Sequence, residues 1–359
     1  MENIWRAVKQ FDLPAAVSGC KPYGNGHIND TFLVLCPGED NTTTRYIMQA
    51  VNTHIFKNPM QVISNIEKVT EFLKSKVDDP RGILRMVATK DGKKCYFDGG
   101  YCWRMYEFVE DSICLETTDN PDDFYQCAVA FGMFQRHLND FPAETLTETL
   151  PNFHNTPKRF RDFLDAVAQD VCARVADATE EIAFVKAREA FYSTLYAAHD
   201  AGVLPLRVTH NDTKSNNVML DKKTRKALCV IDLDTVMPGF SVNDFGDAIR
   251  FGASTAAEDE KDLSKVQLDL TLFEAYVKGF LEGCGGLLTK EEIILLPEGA
   301  KMMTMECGMR FLEDYLRGDV YFKTKYAEHN LVRCRTQFKL AAEMEAHWDE
   351  MKALVQKYL

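Results

Sequence analysis

The chain has 359 residues, 46% of them hydrophobic and 27% charged, a composition that supports a sizeable core and leaves room for two domains. Asp and Glu outnumber Lys and Arg by 54 to 42, and the resulting net charge of −12 argues against nucleic-acid or anionic-membrane partners, both of which need basic patches. Eleven cysteines without a C-x-x-C pair read as reduced thiols. With no apolar run near 18 residues and a polar start (MENIWRAVKQ), a cytoplasmic protein is expected.

Taken in chain order, a short helix is expected around residues 4–11, then β-type runs at 16–22, 31–36, 45–51, 83–88, 94–97 and 102–109. Residues 59–77 interrupt them with a helical pattern, Val62, Ile66, Val69 and Leu73 recurring at spacings of four, three and four. The loop Tyr23-Gly24-Asn25-Gly26-His27-Ile28-Asn29 joins the first two strands. Its glycines permit positive φ and let backbone N–H groups approach a phosphate, although a plain hairpin turn has the same composition. The strand WRMYEFV (103–109) runs into an acidic loop.

From about residue 113 the pattern turns helical, with apolar spacing over 121–139, 158–176 and 180–201, and later over 243–251, 268–281, 298–316 and 329–358. AEDEKDLSK (257–265) reads as a solvated charged loop. On the 298–316 helix, Glu306 precedes Arg310 by four residues and Glu313 precedes Arg317 by four, the spacing of ordinary helical ion pairs. Asp244 and Asp247, near the start of the 243–251 helix, have the composition of N-terminal caps.

The chemistry concentrates in LRVTHNDTKSNNVMLDKKTRKALCVIDLDTVMPGFSVNDFGDAIRF (206–251). It holds His210-x-Asp212, then Asn217, then two short apolar runs around LDKKTRK that read as a hairpin, then Ile231-Asp232-Leu233-Asp234. A hairpin would return Asp232 to the neighbourhood of Asn217, and on an extended 231–234 segment both aspartates would face one way. A carboxylate can take a proton from an attacking hydroxyl, and hard oxygen ligands can hold Mg²⁺. Together these are parts of an ATP-dependent phosphoryl-transfer site.

His210-x-Asp212, Asn217 and IDLD, followed by Asn243-Asp244-Phe245-Gly246-Asp247, resemble the catalytic and metal-binding loops of the aminoglycoside phosphotransferase/choline kinase-like family. The strings PYGNGHIN, RVTHNDTKSNN, AEDEKDLSK, MECGMRFLEDYL and YFKTKYAEHNLVR are similar to those of its members that phosphorylate a free N-acetylhexosamine at O1. The resemblance implies an α+β, two-lobed protein-kinase-like fold: residues 1–112 as a nucleotide-binding lobe with an antiparallel sheet and one helix, and 113–359 as a mainly helical, catalytic and sugar-binding lobe. It implies ATP and Mg²⁺ as cofactors, a sugar as the small-molecule partner, and a monomer or weak dimer.

By residue, the resemblance assigns Asp212 as the base, with Asn217, Asp232 and, more weakly, Asp234 as metal ligands. Gly24, Asn25 and Gly26 would face phosphates, and backbone groups at Glu107 and Val109 would face adenine. His27, Asp212, Arg310 and Tyr321 would reach the sugar, while His210, Asp244 and Asp247 brace the loop. One departure stands out: Gln49 occupies the point on the third strand where protein kinases carry a lysine. Phosphate binding is therefore expected to lean on magnesium and backbone amides, and a non-catalytic nucleotide-binding module remains an alternative. So does a kinase of a cationic alcohol, although from Arg310 to Lys339 seven basic residues face four acidic ones.

Overall fold

The computed structural model describes residues 2–24, 28–38, 42–98, 100–117 and 119–359. The expected loop residues Asn25, Gly26 and His27 lie outside that set. After α1 (Glu2–Val8) come β1 (Gly19–Pro22), β2 (Asp30–Pro37), β3 (Thr43–Val51), α2 (Pro59–Leu73), β4 (Tyr96–Asp98) and β5 (Tyr101–Glu107). The strands form one antiparallel sheet in the order β1-β2-β3-β5-β4. The alternation of β3 explains its placement: Tyr46, Met48 and Ala50 are buried on one face, while Ile47 and Gln49 point to the other. The expected 83–88 strand is reduced to a bridge between Met86 and Tyr106, flanked by hydrogen bonds Val87 N–H to Met105 O and Glu107 N–H to Arg85 O, each 2.9 Å.

β6 (Ser112–Cys114) leads out of the sheet into α3 (Pro121–His137), α4 (Thr156–Gln169), α5 (Thr179–Lys186) and α6 (Thr194–Asp200). The helical pattern read across 180–201 is broken by a 3₁₀ stretch at Glu189–Ser193. Arg188, at the break, turns back onto the Phe184 ring and pairs with Glu345. Then follow β7 (Arg207–Thr209), β8 (Val218–Asp221), β9 (Ala227–Val230) and β10 (Met237–Gly239). β8 and β9 are the expected hairpin, and β6 joins it as a third strand, so the chain leaving the first sheet is stitched directly to the hairpin.

The chain closes with α7 (Ser241–Gly252), α8 (Leu270–Cys284), α9 (Lys290–Ile294), α10 (Leu296–Arg317), α11 (His329–Ala346) and α12 (Trp348–Gln356). The reading of 329–358 as one helix is corrected by the break at His347. The 257–265 loop is less solvated than expected: Glu258 pairs with Arg250 and Arg333, and Asp259 with His329.

One close approach fixes the geometry that follows. A Cβ on Gly246 of α7 would fall 2.1 Å from Gly299 O, and one on Gly299 of α10 would fall 2.1 Å from Val242 O. The two helices therefore touch backbone to backbone, and α7 is held rigidly against α10. Any side chain at either glycine would force them apart.

Candidate phosphotransfer site

The loop that carries Asp212 begins at β7 and turns sharply at Asn211, whose φ of +64° lies in the left-handed region that Asn tolerates better than most residues. The loop is held from beneath by α7. Asp244 accepts the N–H groups of His210 (2.9 Å) and Asn211 (2.8 Å), and Asp247 accepts that of Thr213 (3.0 Å). Asp244 is fully buried and caps this loop, not its own helix, whose N-cap Phe240 has no side-chain cap. His210 is buried against the edges of Phe131 and Phe134. Its Nε2 donates to Ile231 O (2.8 Å) and its Nδ1 accepts the Asp212 N–H (3.3 Å). Both ring nitrogens are thus occupied, which leaves no lone pair for a substrate proton.

Asp212 projects from this braced loop. Its Oδ2 accepts from Asn217 Nδ2 (3.1 Å) and its Oδ1 faces Lys214 Nζ (2.8 Å). Burial favours the neutral acid, but the Lys214 ammonium outweighs it and holds the Asp212 carboxyl below the usual carboxylate range. The Asn217 amide also donates to Asp212 O (2.8 Å), which aims its own Oδ1 away from the loop, where it has no hydrogen-bond partner among the described residues. Ile231 N–H donates to Asn217 O (2.9 Å), and so the hairpin brings Asp232 back beside Asn217.

The expected extended 231–234 segment is not formed. Asp232 adopts φ 57°, ψ 57°, and Leu233–Thr235 is a 3₁₀ turn, so the two aspartates part company. Asp234 is buried, with one oxygen paired to Arg104 of β5 and the other accepting from Asn29 Nδ2 (2.7 Å). Asp232 makes no hydrogen bond among the described residues. Burial first, then the charges of Asp234 and Asp212, push its carboxyl up to about 7. No three His, Cys, Asp or Glu side chains converge as a metal cage among the described residues. A Mg²⁺ site needs fewer, because the ion keeps several waters and takes phosphate oxygens. The free Asn217 Oδ1 and an Asp232 carboxylate strained by like charge fit such an ion.

On the other side of Asp212, the catalytic loop meets α10 through His154. Its Nδ1 donates to Glu306 (2.7 Å) and its Nε2 to Asn211 O (3.3 Å), while Thr156 Oγ1 donates to the other Glu306 oxygen. With both Glu306 oxygens taken, the expected Glu306–Arg310 ion pair does not form, whereas Glu313 and Arg317 do pair at 2.9 Å. The Arg310 guanidinium instead sits among the rings of Phe153, Tyr321 and Phe322, at 5.0, 5.7 and 5.5 Å, without an ion pair or hydrogen bond among the described residues. Tyr321 is half exposed, and its segment is pinned by Asp314, which accepts the N–H groups of Val320 (2.9 Å), Tyr321 (2.8 Å) and Phe322 (3.0 Å).

At the far end, Gly24 takes φ +73° with open space around it. Its neighbour Tyr23 packs edge-on against Phe108 at 5.9 Å. The Glu107 and Phe108 N–H groups are used by Arg85 O and Arg45 O, and Val109 O accepts from Ser112. The Val109 N–H alone of these three has no partner among the described residues. Sequence reasoning missed Arg104, His154 and Asp314, none of which carries a local motif.

An antiparallel five-stranded sheet over a braced Asp212–Asn217–Asp232 constellation defines a kinase-like phosphotransferase of small molecules. The chain belongs to the phosphotransferase enzyme family, whose sequence profile matches residues 19–276. Among solved structures it is similar to a microcompartment-associated aminopropanol kinase (TM-score 0.64, 16% identity, 98% of each chain covered). It is also similar to an aminoglycoside phosphotransferase from Alicyclobacillus acidocaldarius (0.62, 12%, 98% of this chain and 96% of that one). A third is a choline kinase from Cryptosporidium parvum (0.56, 14%, 94% and 92%). At these identities the likeness is one of fold. Membership of the family implies ATP and a divalent metal.

Proposed function

We propose that this protein transfers the γ-phosphate of ATP to the anomeric hydroxyl of a free N-acetylhexosamine, giving the sugar 1-phosphate and ADP. The observation that carries the acceptor assignment is Arg310, a guanidinium in an aromatic box with no carboxylate partner among the described residues. Kinases of amines need an acidic or open aromatic pocket for the acceptor's own charge. Here a protein cation already fills that place, and it offers N–H donors to hydroxyl and acetamide oxygens. The rings around it suit the apolar faces of a pyranose.

Asp212 is the group that orients the anomeric hydroxyl and accepts its proton, kept ionised by Lys214. Asn217 and Asp232 would hold Mg²⁺, which when bound neutralises charge on the transferring phosphoryl oxygens. Asp234, engaged on both oxygens, serves to anchor the loop. The backbone of Gly24 would approach the phosphates and the Val109 N–H the adenine. Eleven free thiols fit a cytoplasmic setting.

A coupled ADP-release assay over free hexosamines, hexoses, choline, aminopropanol and aminoglycosides tests this reading. N-acetylhexosamines should be turned over best, and their 1-O-methyl glycosides not at all, because the attacking oxygen is blocked. Turnover of the glycoside, or preference for an amine, would sink the 1-kinase assignment while leaving the phosphotransferase intact. Arg310→Ala should raise the sugar's KM far more than that of ATP, because buried polar groups of the acceptor lose their partner.

A further inference from the structure

Gln49 and Arg104 stand directly opposite each other in the β3–β5 register. The Arg104 Nε donates to Gln49 Oε1 (3.0 Å), and the Gln49 amide donates in turn to Thr31 Oγ1 (3.2 Å) on β2. Gln49 is therefore spent on aiming a cation and not on meeting a phosphate. That cation is completely buried, at 0% exposure. Burial works against its charge, but Asp234 and then Tyr106 hold the guanidinium above the ordinary arginine range. One nitrogen, Nη1, pairs with Asp234, while Nη2 is buried without a hydrogen-bond partner among the described residues.

Arg104 also lies where two segments of the site meet. Asp234 belongs to the metal loop, and its second oxygen is held by Asn29 at the end of the glycine-bearing loop. Asn29 in turn accepts the Asn52 N–H (2.9 Å) at the end of β3. The charge of Arg104 is felt at Asp232 as well, where it opposes the upward push of the neighbouring carboxylates. A lysine offers one compact point charge. The planar guanidinium can serve Gln49, Asp234 and a third acceptor at once.

We infer that Arg104 is a nucleotide-binding residue that supplies, from β5, the fixed positive charge for the nucleotide phosphates that Gln49 cannot supply from β3, with the orphan Nη2 directed to a phosphate oxygen. This rests on the phosphotransferase reading and is independent of which acceptor is used.

The test separates charge from architecture. Arg104→Gln combined with Asp234→Asn removes both charges while keeping polar groups of similar size, and Asp234→Asn alone controls for the lost loop contact. Nucleotide binding is measured by calorimetry with ADP in EDTA, and kcat/KM for ATP and for the acceptor are measured separately. The double variant should bind ADP about 10- to 100-fold more weakly than either wild type or Asp234→Asn, with acceptor KM unchanged. Adding Gln49→Lys should recover most of that loss. A folded double variant that binds ADP like wild type would overturn the inference.

Should the double variant not fold, Gln49→Glu sets an anion against the Arg104 Nε in an otherwise native chain. It should weaken ADP about 10-fold, and unchanged binding would equally overturn the assignment. Failure of wild type itself to bind ADP or ATP would instead bring down the phosphotransferase reading beneath it.

Discussion

His154 and Glu306, 152 residues apart, form a largely buried pair in which the imidazole bridges α10 to the loop after β7: Nδ1 reaches Glu306 at 2.7 Å and Nε2 reaches Asn211 O at 3.3 Å. Both ring nitrogens face acceptors, which only the doubly protonated imidazolium satisfies. Burial lowers the affinity of His154 for that proton, yet Glu306 raises it above the ordinary histidine value of 6.5. A group whose folded-state pKa is raised stabilises the fold below its unfolded pKa and loses that contribution as pH climbs through the folded one. Thermal melts should therefore show wild type more stable than Glu306→Gln near pH 6, with the gap narrowing as pH rises above 6.5. A gap that widens with pH would contradict the imidazolium.

Asp232 has the opposite consequence. Its carboxyl, pushed up to about 7, is ionised at a cost in the metal-free fold, so its contribution to stability falls as pH rises from 3.8 toward 7. In EDTA, Asp232→Asn should be more stable than wild type at pH 8, by about 1–3 kcal/mol. The advantage should vanish below pH 4. Turnover of the variant should collapse at every pH. Conversely, the apparent affinity of wild type for magnesium with ADP should strengthen as pH rises through 7, as calorimetry can read.

Much of the site was legible because its signal is local. His210, Asp212, Asn217 and the hairpin that returns Asp232 are set by short spacings and turn chemistry. What was hidden depends on partners far along the chain. Asp234 read as a second metal ligand from its i,i+2 spacing, but Arg104, 130 residues earlier, draws it to the sheet. Arg104 itself lies in the apolar strand WRMYEFV and carries no motif. Glu306 read as the helical partner of Arg310, a contact worth only about 0.3–0.5 kcal/mol in isolation. A buried histidine and a threonine outcompete it. Asp244 was not hidden: the resemblance implied a brace for the loop, and its oxygens accept the His210 and Asn211 N–H groups instead of capping α7. Spacing paired Arg310 with Glu306, whereas its guanidinium lies among three rings without a carboxylate partner among the described residues.

Lys214 should govern the pH dependence of the base. Its ammonium, 2.8 Å from Asp212, outweighs the burial that favours the neutral acid. Lys214→Met should raise the Asp212 pKa and move the acidic limb of the kcat/KM profile upward. Asp212→Asn, by comparison, should lower kcat about 10²- to 10⁴-fold with ATP affinity nearly intact. An unmoved acidic limb in a folded Lys214→Met would remove the lysine from this role.

Arg310 is coupled to a residue that never touches it. Asp314 holds the backbone of Val320, Tyr321 and Phe322 and is steadied by Asn330 Nδ2 at 2.8 Å. Two of the three rings around the Arg310 guanidinium thus owe their position to one carboxylate. Asp314→Ala frees those N–H groups to water and lets the 320–322 segment move, so the box opens while Arg310 stays in place. Acceptor KM should rise about 10-fold or more, with the KM for ATP unchanged. Because the segment and the guanidinium act on the acceptor as one wall, Arg310→Ala combined with Asp314→Ala should cost little more than Arg310→Ala alone. Additive losses would mean that the two residues serve the acceptor separately.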